Sequence, residues 1–164
     1  MSWDLRIQCI HPASFESFRS QTTLALERLI GVHISSLDII LEASPNHPSV
    51  RPVPEFLGNL DDCFLIGLTK LDASFELVCF ALNDGSRWFS VELPAGHSAA
   101  GFALASAAAI ALSTIQHALI KDDAERWTNC FESSATDFLE SIVIGKHSQK
   151  LAVASRAVME AKKL

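Results

Sequence analysis

The chain has 164 residues, 49% of them hydrophobic and 20% charged, and a formal net charge of −6. That is long enough to bury a proper core and too apolar for disorder over most of its length. The acidic balance, with a pI of about 5.4, excludes the basic stripe that nucleic-acid binding requires and favours cationic partners.

The opening WDLRIQCI alternates, with Trp3, Leu5, Ile7 and Cys9 on one face and Asp4, Arg6 and Gln8 on the other. This is the period of a half-buried strand. Pro12 suits a first helical turn, and Phe15, Phe18, Thr22, Leu26 and Leu29 predict a helix over residues 13–30 that Gly31 stops. SLDIILEA reads as a second strand. Pro45, Pro48, Pro52 and Pro54 rule out helix and central strand, and predict a stiff polyproline-like connector. CFLIGLTKL is almost continuously apolar, as a strand covered on both faces would be. FELVCFAL and RWFSVEL flank NDGS, a hairpin signal, with Phe89, Val91 and Leu93 on one face and Trp88, Ser90 and Glu92 on the other.

From Ser98 the pattern turns helical. One long helix is expected to about Ile120, and a short one around KDDAERW. Ser134 and Asp137 form a capping box before a third, which Gly145 ends. Ser148 is expected to cap the last, with Leu151, Ala154, Val158 and Ala161 on one stripe. The chain shows no repeat and no linker. The order predicts a single α+β domain over residues 1–164. Its sheet is mostly antiparallel, of about four to five strands, with an N-terminal helix and a C-terminal set of three to four helices packed on it.

ELPAGHSAAG is the stretch with the strongest chemical suggestion. It resembles the nucleophile elbow of the α/β-hydrolases in placing Gly96, His97 and Ser98 after a strand and before a helix. The resemblance implies Ser98 as nucleophile, with Asp137 and His147 completing the family's Ser–Asp–His order. It departs at Ala100, which stands at the second glycine position. The Asp-Gly hairpin also makes the preceding strands antiparallel, whereas an elbow sits on a parallel strand reached by a crossover.

The stretch from Glu92 to Lys121 carries no charge and is long enough to span a bilayer. It is mostly alanine, however, with Ser106, Ser113, Thr114, Gln116 and His117 inside it, and these residues do not favour lipid. The remaining reading is a helix capped by Ser98 and buried on every side, its small block Ala105–Ala109 letting neighbours approach closely.

Cys9, Cys63, Cys79 and Cys130 have no paired spacing and read as reduced core residues. The histidines at 11, 33, 47, 97, 117 and 147 form no ligand pattern. No metal and no cofactor is expected. The N-terminus, with Asp4 and no apolar run, is unlike a signal peptide.

These features lead to the expectation of a small, acidic, non-enzymatic protein, bacterial and cytoplasmic, that binds another protein and neither nucleic acid nor membrane. Its most concrete form is a stoichiometric inhibitor of the immunity type that neutralises a basic toxin by electrostatically steered association. Trp88, Glu55, Asp61 and Asp62 are its candidate contacts. The alternatives are an acidic secretion-type chaperone acting as a homodimer, and a small serine hydrolase using Ser98.

Overall fold

In the computed structural model, which describes residues 2–44 and 54–164, the opening alternation becomes β1 (Trp3–Cys9). Its Leu5 and Ile7 are fully buried. The next residues do not enter the helix directly. Ala13–Ser14 (β2) pairs with Phe56–Leu57 (β4), and the Phe15 amide donates to the Glu55 carbonyl at 2.9 Å. Helix α1 (Phe15–Ile30) therefore starts after this small ladder, with Ser14 as its cap accepting from the Ser17 amide. Pro12 lies ahead of the helix and not in its first turn. Gly31, at φ 71°, ends α1 in the left-handed conformation that glycine adopts without strain.

The other elements are β3 (Ile39–Ala43), β5 (Asp62–Leu68), β6 (Ser74–Ala81), β7 (Arg87–Leu93), α2 (Ala99–Gln116), β8 (Ile120–Lys121), β9 (Glu132–Ser133), α3 (Ala135–Ile144) and α4 (Ser148–Ala161). The fold is α+β. Seven strands form an antiparallel sheet in the order β3-β5-β6-β7-β1-β8-β9. Five are the long strands expected from the sequence, and β8 and β9 are two-residue additions. Between β6 and β7 the Leu82 amide donates to the Ser86 carbonyl, and Gly85 takes φ 85° in the three-residue turn. Asp84 Oδ1 accepts from both the amide and the hydroxyl of Ser86, which holds the Asp84 carboxyl below its usual range. The proline connector lies outside the described residues except for Pro54.

Helix α2 packs on β1, β6 and β7 with one side and on α1, α3 and α4 with the others. By length and composition it is apolar enough to cross a membrane, yet 83% of it is buried inside the protein. Phe102, Leu104 and Leu112 are wholly buried, each contributing about 1.5–3 kcal/mol. Ala105, Ala107, Ala108 and Ala109 are wholly buried as well, and their small side chains allow α1 and the sheet to close on the helix from both sides.

Three expectations about the C-terminal half need correction. The stretch around KDDAERW is not a helix. The Asp122 carboxylate, 1% exposed, accepts the amides of Arg126, Trp127 and Thr128, so the donors a helix would use are already taken. Helix α2 also ends at Gln116 and not at Ile120, because Ile120 and Lys121 pair with β1. Gln116 fastens that end, its Oε1 accepting from the Ile10 and His11 amides and its Nε2 donating to the His11 carbonyl. At the start of α4 the cap position falls on His147, not Ser148, and its ring is engaged elsewhere.

The four described helices lie on one side of the sheet. Phe64, Ile66 and Leu68 of β5 are buried on that side, while Leu65 and Gly67 are only half-buried on the other. Among the described residues the apolar run of β5 is covered by helices on one face only, although Cys63 is buried on the other.

Ala108→Leu puts three carbons into a space with no room for them. It is expected to lower stability by about 1–3 kcal/mol, read as a lower urea midpoint at unchanged slope.

Candidate functional site

Ser98 is a helix cap. Its hydroxyl accepts from the Gly101 amide at 3.0 Å and donates to the Asp72 carbonyl at 2.7 Å. His147 Nε2 donates to the Arg126 carbonyl at 2.6 Å, and Asp137 sits exposed in the first turn of α3, where its amide donates to the Ser134 hydroxyl. No hydrogen bond joins Ser98, His147 and Asp137 among the described residues. Strand β7 leads into α2 between two antiparallel neighbours, β6 and β1, unlike the parallel setting of an elbow.

The strand register assembles a second arrangement on the face that no described helix covers. Glu42 is opposite Leu65, Leu65 opposite Glu76, Glu76 opposite Glu92, and Glu92 opposite Asp4, so four carboxylates and one leucine form a row across five strands. Burial, then the charges of Asp4 and Glu76, raise the Glu92 carboxyl above its usual range, against the Ser90 hydroxyl bond and Arg6, which lower it. Glu76 accepts from the Ser44 hydroxyl at 3.0 Å and the Cys63 thiol at 3.7 Å. Glu76 and Glu92 line a cleft of about 210 Å³ with Leu65, Ser74 and Pro94.

The adjacent rows carry Val78 beside Ser90 and Phe80 beside Trp88. Trp88 is half-buried, its indole N–H donating to the Ser86 hydroxyl and Lys121 Nζ lying 5.1 Å from its ring. The cations of this face are engaged, Arg6 with Asp123 at 3.8 Å and Lys121 with Glu132 at 3.4 Å.

Of the predicted contact residues, Trp88 stands on this face, and Asp61 and Asp62 line a cleft at its edge with Cys63, Val78 and Phe80. Asp61 is exposed and pairs at 3.0 Å with Arg87, whose position alternates with Trp88 and falls on the helix side with Phe89. Asp62 opens β5, and Glu55 stands exposed before β4. Asp4, Glu42, Glu76 and Glu92 share this surface with Trp88 as well. Alternation alone placed Asp4 and Glu92 on the polar faces of their strands; their juxtaposition needed the pairing of β1 with β7.

A third arrangement gathers rings at the start of α2. Trp3 lies 4.9 Å from His97, 5.1 Å from His147 and 6.0 Å from Trp127, centroid to centroid, and Phe102 stacks on Trp127 at 5.1 Å. Lys150 Nζ points into this group, 4.4 Å from the Trp3 ring, 4.9 Å from the Phe102 ring and 3.0 Å from His97 Nε2. Burial pushes His97, His147 and Lys150 below their ordinary values. Spacing gave no signal for this cluster, because its members come from β1, the turn before α2, the loop after β8 and the start of α4.

The four cysteines are free thiols. Burial pushes Cys79 up to about 12 and Cys63 to about 11, so both stay protonated and unreactive at neutral pH. No group of three His, Cys, Asp or Glu side chains among the described residues is placed to hold a metal ion. No protein-family model, curated protein or solved structure matches the chain.

Two outcomes follow from this geometry. A carboxyl raised in the folded state binds more protons there than in the unfolded chain, so its contribution turns unfavourable as pH rises from the unfolded value through the folded one. Glu92→Gln, which also removes two like-charge contacts, is expected to raise stability at pH 7 by about 0.2–1 kcal/mol. That gain disappears at pH 3, a difference read by urea denaturation at the two pH values. Ser98→Ala is expected to lose about 1 kcal/mol of stability, and a fluorophosphonate probe is expected to leave Ser98 of the wild-type protein unlabelled by mass spectrometry.

Proposed function

We propose that the chain is a non-enzymatic binding protein that docks a basic protein partner on the helix-free face of its sheet. The observation that carries this reading is the composition of that face. Trp88, Phe80, Val78 and Leu65 remain half-buried there instead of covered, and Asp4, Glu42, Glu76 and Glu92 cross the sheet beside them. An aromatic anchor beside accessible apolar side chains, with acids around them, suits a surface that binds by apolar contact and selects by charge. Neutralising such a partner in the manner of an immunity protein is the form of this function we favour. The Ser98 hydroxyl, engaged at both its donor and acceptor sides, lends no support to hydrolysis.

The carboxylate row has a cost that supports the same reading. Like charges directly opposite on neighbouring strands weaken their pairing. A basic partner docked on this face would lessen that cost.

The test is a pulldown with the tagged full chain from its native cell extract at low and moderate salt, repeated with Trp88→Ala and with Glu76→Gln/Glu92→Gln. A single stoichiometric basic partner is expected, held less tightly as salt rises. Trp88→Ala is expected to weaken it by about 2 kcal/mol or more, roughly 30-fold. The carboxylate double variant is expected to remove most of the salt dependence. A partner that both variants retain at wild-type affinity would sink the assignment to this face. A stable homodimer that Trp88→Ala dissociates would replace the inhibitor reading with the dimeric chaperone.

A further inference from the structure

The ring cluster lies on the helix side of the sheet and bears no relation to the docking face. Its hydrogen bonds fix the protonation state of His97. Nδ1 lies 2.9 Å from the Pro94 carbonyl, and a carbonyl can only accept, so the ring proton is on Nδ1. Nε2 is left with its lone pair, directed at Lys150 Nζ at 3.0 Å. The ammonium donates to a neutral imidazole and rests on the faces of Trp3 and Phe102. His147 is arranged likewise, its Nε2 proton given to the Arg126 carbonyl. The arrangement is satisfied only while His97 is uncharged.

We propose that Lys150 and His97 form a pH-operated latch: protonation of His97 sets a donor against a donor and a cation against a cation, expels Lys150 from the rings and frees the start of α4. The surrounding charges do not oppose this. From α4 the group facing His97 is Lys150, and from the loop before it His147, with Lys146 close behind. From the loop after β8, Asp122 acts on His147, but its carboxylate is held by the amides of Arg126, Trp127 and Thr128. Asp72 approaches through its backbone carbonyl, which accepts from Ser98. Asp4, next to Trp3 on β1, points to the other side of the sheet.

The start of α4 is the place where such a push would tell. His147 provides no side-chain cap there. The next residue anchored in the core is Leu151, and Ala154, Val158 and Ala161 continue the buried stripe. Lys150 therefore binds the first turn to β1 and α2 together with the His147 ring, which packs on Trp3 and Phe102, while the remainder of the helix keeps its own packing.

The sign follows from burial and from Lys150, both of which lower the His97 value. A histidine depressed in the folded state contributes stability above its unfolded value of about 6.5, and that contribution is lost as pH falls through the folded one. The latch is closed at neutral pH and opens in mild acid.

The experiment follows the histidine ring protons by NMR and the α4 amides by hydrogen exchange, corrected for intrinsic rates, from pH 8 to 5. His97 is expected to titrate below 6.5. In the same step the amides of residues 148–151 are expected to exchange faster than at pH 8, while the helical circular dichroism is retained. His97→Gln supplies an amide that donates to Pro94 and accepts from Lys150 without titrating, so the step should vanish. Lys150→Met keeps contact with the rings, removes the charge, and should raise the His97 value and abolish the step as well. Unchanged α4 protection while His97 titrates would overturn the latch. So would a step of the same midpoint in both variants, or in Lys150→Met alone if His97→Gln does not fold.

Discussion

An eighteen-residue helix with apolar side chains around its whole circumference must be enclosed on all sides. The architecture follows from that requirement. The sheet supplies one wall for α2 through β1, β6 and β7, and α1, α3 and α4 supply the others. The run of alanines lets these walls stand close, so the packing gain comes from proximity and not from large side chains. The polar groups within α2 find local acceptors, as with the Ser106 hydroxyl on the Phe102 carbonyl and the Thr114 hydroxyl on the Ile110 carbonyl. At its C-terminal end the Gln116 side chain satisfies two amides and a carbonyl of the strand-to-loop passage after β1. Both the oxygen and the nitrogen of that buried amide thus have hydrogen-bond partners.

Enclosing α2 commits every helix to the same side, and the sheet's other face is left to its own side chains. Ser90 and Cys63 are nevertheless buried there, Ser90 donating to Glu92 and Cys63 to Glu76. The same face holds the carboxylate row. Stability alone would favour threonines or alternating charges at those positions, and the protein instead places Glu76 and Glu92 directly opposite each other. Docking of a basic partner, as proposed, would offset part of that cost.

The enclosure of α2 also brings together side chains that have no local relation. Its first turn carries Phe102, its cap region carries His97, and the segments that wall it contribute Trp3, Trp127, His147 and Lys150. Trp127 is buried with an indole N–H that has no acceptor among the described residues, at a cost of about 1–3 kcal/mol. Its stacking on Phe102 and contact with Trp3 offset part of this. Lys150 over two rings adds about 0.5–2 kcal/mol while His97 is neutral.

Periodicity and turn chemistry are local properties, and the sequence by itself determined what depends on them. These are the alternation of β1, the Asp-Gly hairpin, the stop at Gly31, the caps at Ser98 and Ser134, the buried character of α2 and the α+β class. Local rules also misplaced what long-range pairing decides. Ala13 and Ser14 were drawn from helix into a ladder with β4, Ile120 and Lys121 were drawn from α2 onto β1, and the Asp122 side chain claimed the amides of a segment read as helical. The face to which Trp88 points was legible from its alternation with Phe89. Whether that face is covered was not, because it depends on where helices distant in the chain come to rest. The carboxylate row and the Lys150–His97 contact belong wholly to the tertiary structure. The row requires the register of five strands at once, and the contact closes across 53 residues, distances over which composition and spacing carry no geometric information.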